Sequence, residues 1–448
     1  MFLTLFSRAQ AHMLQLWDKR GPTTYFRFTA CRGDVLRTDI VLLKPTTEQE
    51  KRLFRLATES SLLWNQANYE RRQAFFKYEK MPSYVKQCNT LKHSEHFKAI
   101  STGKGQAILS KLHESWQSFW QLKKMQKQGL LPRHIVKVSP PKYWKDRNTK
   151  ETKIKMFCIR NDCYRIDKQK QQIRIMKGMR IEYAAHRIRE GNYGRLEVRY
   201  DELSNRWYAH IPVEIKNKRQ VNPTKKYGSI DLGICNIAAV YVPDERPLVY
   251  SGRAVLSDWT YHTKKIAELQ SQLKEKQYTS TRIGKLFRTR QRRFRHAINA
   301  LLRDLFERLE VLQLTSLIVG DLNGIREGND LGKKSNQKLH NFWSHNYILK
   351  RVKELGKEYG IEIVEQSERG TSKTCCICGK QHNGRIHRGL HYCKENGVVV
   401  NADVSGAYNL HNVAVYGSLC PKHKEQESSG SRILANPLML RWEYHQWH

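Results

Sequence analysis

Residues 368–403 read ERGTSKTCCICGKQHNGRIHRGLHYCKENGVVVNAD, and the rest of the chain is organised around them. The stretch opens on one carboxylate, Glu368, closes on another, Asp403, and carries a cysteine knuckle between them. Cys375 and Cys378 have the C-x-x-C spacing of a zinc ribbon, and Gly379 directly after them suits the tight turn that a ribbon needs. The partner pair is incomplete, because Cys393 is followed by Lys394, Glu395 and then Asn396 where a fourth cysteine would stand. Three thiolates are expected to hold a structural Zn²⁺. The fourth ligand is open among His391, His387, His382 and Cys376, since imidazole also serves zinc well. A catalytic zinc with an open position would give Asn396 a role; ribbon spacing argues for the structural metal.

Outward from the knuckle, apolar runs place more acids. VVV at 398–400 reads as a strand, and 402–413 as a helix beginning beside Asp403. IEIVE at 361–365 reads as a final buried strand, with Glu368 just past its end. TSLIV at 315–319 is a β-branched strand that ends on Gly320 and Asp321. YGSIDLGICNIAAVYV at 227–242 reads as one buried strand with Asp231 in its middle. A lone Asp there is costly unless it is paired or bound to a metal. Acids displayed along neighbouring strands form the pattern that holds two Mg²⁺ ions for phosphodiester hydrolysis. Mg²⁺ keeps several waters and needs few protein oxygens, so its ligands tolerate wide sequence separation.

Composition points to the partner. Lys and Arg outnumber Asp and Glu by 80 to 42, a formal charge of +38. That excess repels itself unless a polyanion neutralises it, and nucleic acid is the first candidate. No run of about 18 apolar residues marks a membrane span, and the interleaved polar residues of MFLTLFSRAQAHMLQLW make a poor signal peptide. An intracellular protein is expected, cytoplasmic and nucleoid-associated in a prokaryote. Ten cysteines in 448 residues are too few for a disulfide scaffold.

The upstream half divides by period. TDIVLLKP at 38–45 is a strand stopped by proline, and Thr46 with Gln49 forms a capping box. Leu53, Leu56, Ala57, Leu63, Trp64 and Ala67 then recur at helical spacing, as do Ile108, Leu112, Trp116, Phe119 and Leu122 in a helix over 106–127. After a proline-broken loop at 129–145 the period becomes two, with short strands at 153–160, 172–176 and 179–183 and a hairpin turning at 201–206. Strands this close suggest a small barrel or sandwich; if the early strand joins it, the helices are an insertion. The basic stretch KNKRQVNPTKK at 216–226 is a boundary. Beyond the strand holding Asp231, a helix over 281–309 carries Ile283, Leu286, Phe294, Ile298, Leu301 and Leu305 on one stripe. Its other face carries Arg282, Lys285, Arg288, Arg290, Arg292, Arg293 and Arg295. A loop rich in Gly, Lys and Asn then leads to a helix near 347–359.

SIDLGICNIAAV (229–240), IVGDLNGIR (318–326), RGTSKTCCICG (369–379) and NADVSGAYNL (401–410) resemble, in order, the signature blocks of the TnpB (OrfB) family of transposon-encoded RNA-guided nucleases, relatives of type V CRISPR effectors. LLWNQANYERRQ at 62–73 and SWQSFWQLKK at 115–124 look like that family's N-terminal helical region, so the resemblance covers roughly 38–414. It implies a multidomain α+β chain. An N-terminal extension (1–37) precedes a wedge-like β-barrel (38–45 and 150–222) with an inserted helical recognition domain (46–149). An RNase H-like, RuvC-type nuclease domain (223–370 and 398–414) holds the zinc-ribbon-like knuckle (371–397), and a tail (415–448) follows. It further implies a guide RNA, target double-stranded DNA read by pairing beside a short motif, and Mg²⁺-dependent cleavage with water as nucleophile. Asp231 matches the family's first catalytic acid and Asp403 its last.

The family's middle glutamate stands immediately before DLN, and here that position is Gly320. Three readings follow. Glu368 supplies the carboxylate from the neighbouring strand end, as in branches of the family with a relocated glutamate; this is the reading preferred. Asp321 serves directly, although one step along a strand points to the opposite face, which leaves it as an accessory acid at most. Or the chain is a nuclease-inactive, RNA-guided DNA-binding repressor. A self-sufficient strand-joining transposase ranks last, because no second catalytic motif is present.

Overall fold

The computed structural model describes residues 35–132, 135–146, 149–185, 188–215, 225–275, 277–321, 332–368, 370–381, 385–387, 389–419 and 434–448. The loop expected after strand 315–319, the basic boundary up to residue 224, Arg369 and His382 fall outside them. The chain divides into two compact units, 1–216 and 217–448.

In the first unit, β1 (Val35–Lys44) alternates buried and exposed side chains along its length. It starts ahead of the expected residue 38, so Val35, Leu36 and Arg37 belong to a strand and not to an extension. Thr46 then caps helix α1 (Thr47–Phe76): its hydroxyl accepts from Gln49 N at 3.3 Å, and Gln49 Oε1 accepts from Thr46 N at 3.1 Å. Two short helices that the periodicity did not reveal, α2 (Tyr84–Leu91) and α3 (Glu95–Ile100), are capped by Ser83 and Ser94. Helix α4 (Thr102–Lys127) completes the insertion. Two asparagines of α1 pin the proline-rich loop to the insertion. Asn65 exchanges two hydrogen bonds with the Trp144 backbone, and Asn68 donates to Pro141 O while accepting from Trp116 Nε1.

Seven more strands follow: β2 (Met156–Ile159), β3 (Arg165–Asp167), β4 (Gln172–Met176), β5 (Met179–Ala184), β6 (Asn192–Tyr193), β7 (Leu196–Asp201) and β8 (Arg206–Ile215). They pair antiparallel in the order β2-β7-β8-β1-β5-β4-β3, with β6 on β8. The pre-helical strand β1 therefore sits between two post-helical strands, which makes α1–α4 an insertion, as the sequence suggests. One apolar core runs through the sheet and the helices together. Inside it lies an ion network: Lys111 Nζ to Glu197 Oε1 at 2.5 Å, Arg199 Nη2 to Glu197 Oε2 at 2.7 Å, and Arg195 forked onto Glu114 at 2.8 and 2.9 Å. Glu197 is only 3% exposed. Glu197→Ala strips the counter-charge from a buried ammonium, and a loss of about 3–5 kcal/mol in unfolding free energy is expected by urea titration. An unchanged midpoint would refute a structural role for the pair.

The second unit is built on a mixed sheet in the order β13-β12-β9-β10-β11-β17-β18. β9 (Tyr227–Asp231), β10 (Asn236–Tyr241) and β11 (Leu248–Ser251) form an antiparallel meander. β12 (Ser316–Asp321) adds parallel to β9, and β13 (Glu362–Ser367) adds parallel to β12. This is the RNase H-like arrangement. Helices α5 (Arg253–Ser271), α6 (Thr281–Val311), α7 (Lys333–Gln337) and α8 (His345–Tyr359) lie in the connections. A three-stranded knuckle of β14 (Arg385–His387), β15 (Leu390–Cys393) and β16 (Val398–Asn401) leads into α9 (Ala402–Tyr416). Helix α9 packs on β9 and β10, tied by Ser229 Oγ donating to Ala407 O at 2.7 Å. Among the described residues no helix is long and apolar enough to cross a membrane.

Three expectations are corrected. The stretch 227–242 is two strands, reversing at 232–235 with Gly233 N donating to Ile237 O, so Asp231 ends a strand and does not interrupt one. Continuous apolarity hid the turn, because both strands are buried. The strand expected at 361–365 is an edge strand whose side chains are exposed or half-buried, since its one partner in the sheet is β12. Finally, the expected tail is not one throughout. β17 (Leu438–Glu443) pairs parallel to β11 and folds back through β18 (Gln446–Trp447), burying Leu440 and Trp447 in the core of this unit.

Candidate active site

Three parallel strands deliver the acids to one edge. Ile230 pairs with Val319 and Gly320 with Gln366, so Asp231, Gly320 and Glu368 lie at the same ends of β9, β12 and β13. A Cβ built on Gly320 would lie 1.7 Å from Glu368 Oε1 and 2.4 Å from its Cδ. The Glu368 carboxyl therefore occupies the volume that a side chain at position 320 would fill. The missing side chain on the central strand and the carboxylate on the edge strand are one packing arrangement. Asp321, one step on, is exposed and close enough for its charge to act on Glu368.

The fourth acid arrives on a helix. Asn401 caps α9 by accepting from Asp403 N at 3.0 Å and Val404 N at 3.2 Å, which puts Asp403 in the first turn. One turn later a Cβ on Gly406 would meet Asp231 Oδ2 at 2.5 Å, so the Asp231 carboxylate rests on the same face of α9. Asn236 Nδ2 donates to Asp403 Oδ2 at 2.7 Å and fixes the rotation of that carboxylate. Gly406 and Asn236 escaped the sequence reading. The available signal was the asparagine closing DLGICN, which becomes informative only once 232–235 is known to be a turn.

Burial pushes the Glu368 carboxyl up to about 7, with the Asp321 charge adding to the rise. Its Oε1 is buried and has no hydrogen-bond partner among the described residues. An uncompensated buried oxygen among like charges is unfavourable, and a hard divalent cation with oxygen ligands reverses both terms. The residues present thus fit such an ion. Among the described residues, the acids do not include three whose oxygens all lie within 4.8 Å of one another.

Cys375, Cys378 and Cys393 do meet that distance, all buried. Each knuckle turn has the same closure: Gly379 N donates to Cys375 O and Gly397 N to Cys393 O, both at 2.9 Å, with both glycines at positive φ. Asn396 therefore stands where the second turn would present its cysteine, and its Oδ1 lies 3.5 Å from Cys393 Sγ. Burial drives the Cys375 thiol up. At Cys393 burial acts likewise, but the backbone N–H groups of Asn396 and Glu395 together with hydrogen bonds from Cys375 and Cys378 outweigh it and lower the thiol. Such a thiolate nest fits a soft cation. Of the proposed fourth ligands, Cys376 turns to Ser405, and His391, although buried on the Cys393 side of β15, lies outside the cluster. Asn396→Cys is expected to raise zinc affinity roughly tenfold or more, read by competition with a chromogenic chelator. An unchanged affinity would remove Asn396 from the fourth position.

Residues 210–326 match the family described as "Probable transposase" (OrfB_IS605), and residues 345–410 match the "Cas12f1-like, TNB domain". TnpB-like protein ORF457 of Acidianus two-tailed virus is 34% identical over 415 residues, spanning 85% of this chain and 87% of that protein. TnpB-like protein aq_aa05 of Aquifex aeolicus (strain VF5) is 36% identical over 117 residues, 25% of this chain and 37% of that one. Among solved structures, the Cas12f1–sgRNA–target DNA complex has a chain that superposes with a TM-score of 0.52 at 14% identity, covering 82% of this chain and 83% of its own. At that identity the likeness concerns the fold.

Proposed function

Because this chain belongs to the TnpB-like family, we propose that it is an RNA-guided, Mg²⁺-dependent DNA endonuclease in which Glu368 has taken the place of the middle catalytic acid. The observation that carries this reading is the Glu368 carboxyl lying over Gly320, in the volume of the missing side chain. Asp231, Glu368 and Asp403 would hold the cations, with Asp321 as an accessory acid. Bound divalent cations supply the charge that activates water and stabilises the leaving oxygen of a phosphodiester. The protein's part is placement. The ends of β9 and β13 present two carboxylates, the first turn of α9 presents a third, and Asn236 holds that third one in a single orientation.

A guide RNA and target double-stranded DNA beside a short motif are the partners this reading requires, and a charge of +38 suits two long phosphate tracks. Residues 46–149 would act as the recognition insertion, 38–45 with 150–222 as the wedge, and the cysteine cluster as a structural zinc site. The absence of a glutamate at 320 also favours a second reading, a guided DNA-binding repressor without cleavage.

One experiment separates them. Protein purified with its co-expressed RNA is incubated in Mg²⁺ with plasmid carrying the guide match. Cutting that depends on the match is expected. Match-dependent binding without cutting would leave the repressor, and the lack of a discrete co-purifying RNA would sink both.

A further inference from the structure

The second unit has a cavity of about 420 Å³ between α5, α6 and the segment that follows α7. That size falls within the range of small-molecule pockets, about 300–1,000 Å³. Its back wall is aromatic and braced. Trp259 stands edge-on to Phe294 and Phe342, with centroids at 5.5 and 5.9 Å. The Arg290 guanidinium lies 4.1 Å from the Trp259 ring centroid and 5.0 Å from that of Phe287, and Arg290 Nη1 donates to Thr263 Oγ1 at 2.8 Å. Arg290 Nε is buried and makes no hydrogen bond among the described residues, a donor with no present use. Phe287 is 39% exposed at the mouth. Gln291 and Asn341 add two amides to the lining, the latter on a wide turn closed by Trp343 N donating to Lys338 O. Such wide turns are frequent at functional sites.

Next to the cavity, α6 presents Arg282, Lys285, Arg288 and Arg292, all exposed and spaced three or four apart, so they form one stripe. Residues 281–296 contain no Asp or Glu. A stripe of cations beside an aromatic-and-guanidinium wall with two amides matches the chemistry of one ligand class. Phosphates neutralise the stripe, a base face stacks on the wall, and the amides meet base edges. A paired base is covered by its neighbours in the duplex, so only an unpaired one can enter.

We infer that this cavity binds the base of an unpaired nucleotide in a single strand whose backbone follows the α6 stripe. The inference rests on the reading that the chain binds nucleic acid and is independent of the carboxylate site. Its test compares a labelled oligo(dT) strand with an abasic strand of the same phosphate count, by fluorescence anisotropy on the full chain without added Mg²⁺ and at moderate salt, which keeps both the phosphate contacts and the cysteine site intact. Phe287→Ala and, separately, Asn341→Ala are expected to weaken oligo(dT) binding, by about tenfold for Phe287→Ala, while leaving the abasic strand unaffected; Phe287→Tyr should preserve it. Arg292→Ala should weaken both strands equally. Equal loss for both strands with Phe287→Ala, or no loss with either cavity variant, overturns the pocket alone. Failure of the wild-type chain to bind either strand overturns the nucleic-acid reading with it.

Discussion

Glu368→Ala is expected to lower match-dependent plasmid cutting by roughly a hundred- to a thousandfold, while guided DNA binding stays at its wild-type level. The expectation follows from where the side chain sits. Glu368 comes from an edge strand and reaches over a central strand that has no side chain at position 320. The same packing makes a reciprocal prediction. Gly320→Ala places a methyl group 1.7 Å from the present position of Glu368 Oε1, so the carboxylate must leave, and cutting should fall although no acid has been removed. The double variant Gly320→Glu with Glu368→Gly returns a carboxylate to that volume from the other strand and should cut faster than either single variant. Single-turnover rates on supercoiled plasmid, paired with filter binding, separate these effects. Wild-type rates for Glu368→Ala, or a double variant no better than its parents, would detach Glu368 from the chemistry.

How far this arrangement could be read from sequence depended on the range of each interaction. Asp231, Asp403 and the cysteines could be singled out as candidates because each stands out against its own neighbours: an acid in an apolar run, an acid after a strand, thiols at ribbon spacing. The capping box at Thr46 and the hairpin at 201–206 were legible for the same local reason. Glu368 as the substitute for the side chain missing at Gly320 was suggested by the family resemblance, and the local pattern could not place the one over the other. That contact requires that β12 and β13 run parallel in one register, and the pattern of neither strand carries that information. The turn inside 227–242 was hidden because β9 and β10 are both buried, so neither shows an alternation that would break. The buried pair of Lys111 and Glu197 left no mark in the sequence pattern, since burial of an ion pair depends on a partner 86 residues away. Leu440 and Trp447 were assigned to a tail because polar residues precede them, and their partner strand, β11, lies far upstream.

Removing residues 434–448 should therefore destabilise the second unit severely, although no candidate catalytic residue is deleted. The deletion acts on both faces of the sheet. Leu434 packs with Ala239, Val249 and the cysteines on one face, while Leu440 and Trp447 pack with Tyr250 and α6 on the other. Trp447 Nε1 also donates to Ala297 O at 3.2 Å, an added tie between the hairpin and α6. Three buried apolar side chains are worth about 1.5–3 kcal/mol each, before the β11–β17 ladder is counted. The sum rivals the total stability of an ordinary domain, about 5–15 kcal/mol. It would also leave β11 as an open edge strand, a template for aggregation. The shortened chain is expected to be insoluble or to unfold at least about 10 °C lower by calorimetry. Trp447→Ala alone, at about 3–5 kcal/mol, should show part of the same loss in a soluble protein. If the shortened chain unfolds at the wild-type temperature, the hairpin is an ornament on the sheet. If it falls as expected, the acids of β9 and α9 depend on a strand at the far side of the sheet, and lost cleavage in such a variant reports on folding, not on chemistry.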